Sequence, residues 1–295
     1  MRLKRSLKNL INPGLKLLII ITLISGCSSS TQPTYLIENI ETDIQNICHS
    51  EYATEVKAKL IGSTLWVYIP VEDLLIPAEK PEKYTEKFAI DYNKSYGENS
   101  SLKSEYLIKP IPDKEKQQEY KYNKEVFEKI SNVWKVLRRI IFSMSGRVNH
   151  KPEFFSIVTA DIKNGLELNE VFYYLDLTKV SYGFISWNEY QHRSIQDVNL
   201  SPEAIGDKEG RHLQFKEMAL KDFILQQIDY RIRLKFQKPE VERNADIDKE
   251  IIKIAVFTIK TYGLKGFGSI ELHNLLTRNK ITLTEQAVWA NPILK

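Results

Sequence analysis

Cysteine is almost missing from this chain, with only Cys27 and Cys48 in 295 residues. A disulfide framework of the kind that holds small secreted domains together is therefore excluded. Long apolar runs are missing too. The greasiest stretch, residues 17–24, is eight residues long, whereas a bilayer-spanning helix needs about 20. Histidine is sparse. None of His49, His150, His192, His212 and His273 stands at metal-ligand spacing from another histidine or from a cysteine pair. His49-Ser50-Glu51 has the H-x-E of zinc deaminases without their paired cysteines. No G-x-S-x-G occurs, and Ser100-Ser101-Leu102-Lys103 matches S-x-x-K without the companion signatures of penicillin-binding enzymes. The sequence thus nominates no catalytic residue, no metal and no cofactor.

Acid is missing from the front of the chain. Arg2, Lys4, Arg5, Lys8 and Lys16 precede the apolar run, and the first carboxylate is Glu38. A positive front and a short apolar core are the marks of a signal peptide. The exit from that core, Ile24-Ser25-Gly26-Cys27, resembles the lipobox of bacterial lipoproteins: an aliphatic residue, two small residues, then cysteine. The resemblance implies a diacylglycerol on the Cys27 sulfur and cleavage just before it, with Ile24, Ser25 and Gly26 recognised by the peptidase. It also implies acylation of the new amine. In that family, aspartate directly after the lipidated cysteine favours the inner membrane. Ser28 stands there, so the implied address is the outer membrane facing the periplasm. Two or more acyl chains hold a protein at a bilayer where one does not. The expected divisions are a signal peptide over 1–26 and a lipidated, flexible tether over 27–34.

Removing that leader changes the charge. The whole chain has 42 basic and 38 acidic residues; without the five basic residues of 1–26 the balance is 37 to 38, a formal charge of −1. Nucleic acid is not the expected partner, because nucleic-acid-binding domains carry a basic footprint. The membrane, through the lipid, and an envelope protein or a second copy of the chain are the expected partners.

The periodicity of the rest predicts an α+β fold built of α-β-β units, with antiparallel or mixed sheet packed against helices and extra helices in the C-terminal half. Ile37, Ile40, Ile44 and Ile47 mark one face of a helix over 35–51, which Thr34 can cap. Residues 56–61 and 64–69 flank Gly62-Ser63 as a type II′ hairpin. A strong helical pattern runs from Asn123 to Met144, with Val126, Ile130, Val133, Leu137 and Ile140 on one face. Strands follow at 152–162 and 166–178, around Asn164-Gly165, which predicts a type I′ turn. A third, weaker unit comprises a helix over 246–262 and strands over 269–275 and 280–284. Between these lie a capped helix over 186–198, a proline-led turn at Ser201-Pro202, and a helix over 213–236 that Pro239 ends. The polar segment 77–122 reads as an extended hairpin with its tip at 93–101, or as a disordered insert. The expected layout is one α+β domain over 35–180, carrying that insert, and a region over 181–295 packed on it. This pattern looks, in architecture only, like the ring-building and binding modules of secretion and spore-envelope lipoproteins.

One polar loop stands out as a candidate binding loop: Asp207, Lys208, Glu209, Arg211 and His212, punctuated by Gly206 and Gly210. Without the G-K-[ST] ending of a P-loop it reads as a turn or a binding loop on a rigid scaffold. The expectation is a membrane-anchored, non-catalytic binding or assembly module. The alternatives are an envelope hydrolase acting on glycan, peptide or lipid, and a small-ligand carrier.

Overall fold

The computed structural model describes residues 39–143, 151–238 and 240–292. The residues read as leader and lipobox, Ile24, Ser25, Gly26 and Cys27, the expected cap Thr34, and Ile37, Met144, His150 and Pro239 lie outside the described residues.

The fold is α+β. Helix α1 (Ile40–Tyr52) leads into the hairpin β1 (Lys57–Ile61) and β2 (Thr64–Val71), then into a second, far longer hairpin, β3 (Leu75–Glu98) and β4 (Ser101–Tyr122). Helix α2 (Lys124–Ser143) precedes β5 (Phe154–Asp161) and β6 (Leu166–Tyr173). Short helices α3 (Tyr174–Ser181) and α4 (Trp187–Arg193) lead to β7 (Ile195–Leu200). Then come α5 (Leu220–Gln237), α6 (Ile247–Tyr262), the hairpin β8 (Ser269–Asn274) and β9 (Asn279–Thr284), and α7 (Glu285–Ala290).

Two sheets result. The first has the order β1-β2-β5-β6-β7 and the second β3-β4-β8-β9. In each, two antiparallel hairpins meet at a central parallel pair, β2 with β5 and β4 with β8. The polar insert is therefore ordered, and it does not belong to the first sheet. Its two strands build half of the second one, by pairing with residues about 170 positions later, as Ser101 does with Ser269. The tip is the two-residue turn Asn99-Ser100, not 93–101, with Asn99 at φ 52°.

The first sheet buries Leu65, Val67, Ile69, Phe155 and Ile157 against Ile40, Ile44 and Ile47 of α1 and Val133, Leu137 and Ile140 of α2. Each such side chain contributes about 1.5–3 kcal/mol relative to exposure. The opposite face meets α5 through Phe154, Val171 and Ile195, against Phe223 and Tyr230. The other side of α5 packs Ile224, Ile228 and Ile232 into the second sheet's core. A helix apolar on two faces needs two layers to cover it, and α5 is the element both sheets share.

Several local expectations are corrected by longer-range pairing. The β6 ladder stops at Tyr173, because its partner β5 begins at Phe154, opposite it; without a partner strand, 174–181 coils into α3. The helix expected over 186–198 is capped by Ser186 but ends at Arg193, and residues 195–200 pair with the free edge of β6 instead. The helix expected from 213 starts at Leu220. Residues before it are extended and pinned to the first hairpin: Trp66 Nε1 donates to the Lys216 carbonyl (2.9 Å) and the Met218 N–H donates to Thr64 Oγ1 (2.7 Å). At Asn164-Gly165 only Gly165 has positive φ, 68°; four residues, 162–165, join the strands, and the Gly165 N–H returns to the Asp161 carbonyl. That is a longer loop than a type I′ turn.

Candidate functional site

The loop over 206–212 lies against the first sheet, beside β2 and β6. Asp207 organises it. Its Oδ1 accepts the Glu209 N–H (2.9 Å), and its Oδ2 accepts the His212 N–H (3.1 Å) and faces His212 Nδ1 at 2.6 Å. The other ring nitrogen, Nε2, lies 2.5 Å from Oε1 of Glu167 on β6. Tyr68 of β2 covers the loop: its hydroxyl donates to the Asp207 carbonyl (2.5 Å), and its ring stands edge-on to His212 at 5.9 Å. Gly210 passes directly under that ring. It has φ +70°, and a Cβ there would come within 3.0 Å of Tyr68, so glycine is required for both conformation and clearance.

The electrostatics follow from this geometry. Burial alone would depress the His212 pKa, but hydrogen bonds to Asp207 and Glu167 outweigh it, and the pKa is raised. Burial alone would raise Asp207, but its bonds to the His212 ring and to the His212 and Glu209 N–H groups bring it down to about 2. A neutral imidazole carries one N–H and can serve one carboxylate. Two carboxylates at these distances select the imidazolium, which donates to both. Its nitrogens then offer no lone pair to a substrate. The cluster is a clamp fastening the loop to β6, not a poised general base.

The sequence-nominated loop residues thus divide. Asp207 and His212 form the clamp. Glu209 turns out to pair with Lys57 of β1 at 2.7 Å. Lys208 and Glu209 border a cavity of about 570 Å³, which Asp73 and Glu125 also line. Arg211 is exposed and outside this network. The partners Tyr68 and Glu167 escaped sequence reading, because nothing local links them to a loop 139 and 45 residues downstream.

A second polar cluster lies between α3, α4 and the helices of the second sheet. Arg193 donates to Asp176 and to Glu189, each at 2.8 Å, with the Asp176 side chain only 2% exposed. Arg231 of α5 approaches Glu189 at 3.8 Å and lies 5.0 Å from the Phe257 ring centroid. A third group is Glu170 of β6, whose carboxyl is raised by burial despite donors from Trp134 and Gln196. Alternation along β6 gives no hint of it, because Glu170 falls in phase with Leu166, Leu168 and Phe172 on the apolar face.

Cys48 is buried, and burial followed by the Glu51 charge pushes its thiol up to about 12. A thiol so disfavoured as thiolate is inert. Among the described residues no group of three or more His, Cys, Asp or Glu is placed to hold a metal ion, and no helix is long and apolar enough to cross a membrane. Comparison with protein-family models, with curated proteins and with solved structures returned no match.

Proposed function

We propose that the chain is a lipid-anchored protein of the bacterial envelope, acylated at Cys27 and held at the periplasmic leaflet of the outer membrane, whose α+β body is a binding or assembly module. The basic front, short apolar core and Ile24-Ser25-Gly26-Cys27 support the anchor. At about 3.4 Å per residue, the segment from Cys27 to Asn39 has a maximal reach of roughly 40 Å, which keeps the body near the leaflet.

The observation that carries the assembly reading is the unequal treatment of the first sheet's two edges. On β1 the Leu60 N–H, which points away from β2, is capped by Glu41 Oε1 at 2.6 Å. On β7 the bond from the Ser201 N–H to the Gly165 carbonyl sets the pairing phase. The backbone groups of Gln196, Val198 and Leu200 therefore point away from β6. Val198 is 41% and Leu200 82% exposed. An open strand edge with exposed apolar side chains is suited to strand addition by a partner.

Two experiments separate the parts of this reading. Metabolic labelling with palmitate should mark the parent and not Cys27→Ala; an unlabelled, soluble parent would remove the anchor. A photo-crosslinking residue at Val198 should give a discrete adduct in whole envelopes that Leu200→Pro abolishes, while the same residue at Lys59 on the capped edge gives none. Equal crosslinking at both edges would remove the strand-addition reading.

A further inference from the structure

A cavity of about 280 Å³ opens between α4, α5 and α6, and it is lined by His192, Arg231, Lys235, Lys238 and Lys253. None of its eight lining residues is acidic; the other three, Leu234, Ile254 and Phe257, are apolar. Glu250 neutralises part of the charge, since it bonds Lys235 at 2.9 Å and Lys253 at 2.6 Å. Two lysines thus share one carboxylate. Lys238 has no ion pair among the described residues. Arg231 is held by Gln227 at 3.2 Å, with Glu189 at 3.8 Å. His192 feels these charges: its pKa is lowered by burial first and then by Lys238 and Arg231, against an opposing pull from Glu189.

Converging like charges are repulsive, and a fold tolerates them readily where an anion joins them. The walls add a second requirement. Phe257 also lines a neighbouring cavity of about 530 Å³, whose other walls include Leu175, Phe184 and Ile185. Phe184 is 78% and Leu175 45% exposed, so these apolar walls lack cover. A cationic pocket therefore adjoins a trough whose apolar wall is exposed and whose other side carries Thr178, Lys179, Arg193 and Thr261, with Phe257 at the junction.

We propose that this paired cavity binds a single-chain anionic amphiphile of the fatty-acid type, its anionic head among Arg231, Lys238 and Lys253 and its chain along Phe257, Ile185 and Phe184. The head exchanges water for charge-assisted hydrogen bonds, and the chain removes exposed apolar surface from water. This site is independent of strand addition at β7. Nothing covalent is involved.

The full chain in nanodiscs of phosphatidylcholine is the test, probed with a dodecanoate analogue bearing a terminal photoreactive diazirine. Labelling should map by mass spectrometry to residues 175–185 and 254–261, and free dodecanoate should suppress it. Dodecyltrimethylammonium should not compete, because it shares the chain and reverses the charge. Lys238→Glu, at an exposed position that leaves the core intact, should weaken competition by free dodecanoate about tenfold, a typical loss for one charge-assisted contact. Phe184→Ser should shift or abolish the labelled positions. Labelling elsewhere, suppression by the cationic amphiphile, or an unaltered Lys238→Glu variant would each overturn the proposal. Equal labelling from the lipid surface alone, with no saturation by free dodecanoate, would do so as well.

Discussion

His212 Nε2 and Glu167 Oε1 lie 2.5 Å apart and join a loop to a strand 45 residues earlier in the chain. With Asp207 on the opposite nitrogen at 2.6 Å, the imidazole is a bridge between two carboxylates. Its charge is one of the ties that seat residues 206–212 on the first sheet, beside the Tyr68 bond to the Asp207 carbonyl and the Gly206 N–H bond to the Ile162 carbonyl.

The sign of the pH dependence follows. The folded pKa of His212 is raised, so its contribution is complete below the unfolded value of about 6.5 and is lost as pH climbs through the folded value. Asp207 is lowered to about 2, so its contribution is complete above about 4 and is lost as acid titrates it. The loop should be best protected between about pH 4 and 6.5. Hydrogen exchange at the backbone N–H groups of 209 and 212 should accelerate above that window beyond the intrinsic base-catalysed rate. His212→Gln, which has no ring to charge, should abolish the extra acceleration. An identical profile in the variant would show that the clamp does not titrate.

Two glycines in this loop make an internal comparison. Gly206 and Gly210 have φ +77° and +70°, but only Gly210 would place a Cβ against Tyr68. Gly206→Ala should cost about 1 kcal/mol, the backbone term alone. Gly210→Ala should cost on the order of 2–3 kcal/mol, since the ring must move as well. Urea denaturation of both variants checks the ordering; equal losses would mean that the Tyr68 ring yields freely.

The pair of Asp176 and Arg193 is buried between the two sheets' helices. Asp176→Ala leaves the Arg193 guanidinium with Glu189 as its one close carboxylate and should cost about 3 kcal/mol. The double variant Asp176→Leu with Arg193→Met should recover much of that loss, because both buried charges are gone and the partly exposed Glu189 keeps Arg231 nearby. Thermal unfolding of the three proteins decides it, and a double variant worse than the single would contradict the desolvation argument.

Glu170 is shifted the other way. Its carboxyl is raised by burial, so the folded state binds that proton more tightly than the unfolded chain does. Stability should fall as pH rises through the unfolded value of about 4.5 and continue to fall until the folded value is passed. Glu170→Gln keeps an oxygen for Trp134 and Gln196 and has no charge to desolvate. It should raise the melting midpoint at neutral pH and leave it little altered in acid. A lower midpoint at both pH values would mean that the ionised carboxylate is the form the core accommodates.

Much of the secondary structure was legible in the residues. The isoleucine spacing before Tyr52, the face from Val126 to Ile140 and the helical pattern over 246–262 are local signals, and local hydrogen bonds satisfy them. The proposed leader and lipobox are a linear pattern, so that part of the proposal rests on the sequence alone. The candidate loop was legible as a polar turn, from its two glycines and Asp207. Its role was not, because Glu167 and Tyr68 arrive from two different strands.

What only the tertiary structure decided is which strands meet. Residues 195–200 had an acceptable helical reading, and an unpaired edge of β6 made them a strand. Residues 77–122 are readable as a hairpin or a disordered insert, and β8, far along the chain, gave one of their strands a partner in a second sheet. Helix periodicity is complete within a few residues, since each N–H finds its acceptor one turn away. A strand's hydrogen bonds are all owed to another segment, so its existence, its edge and the cavities beside it belong to the assembled chain.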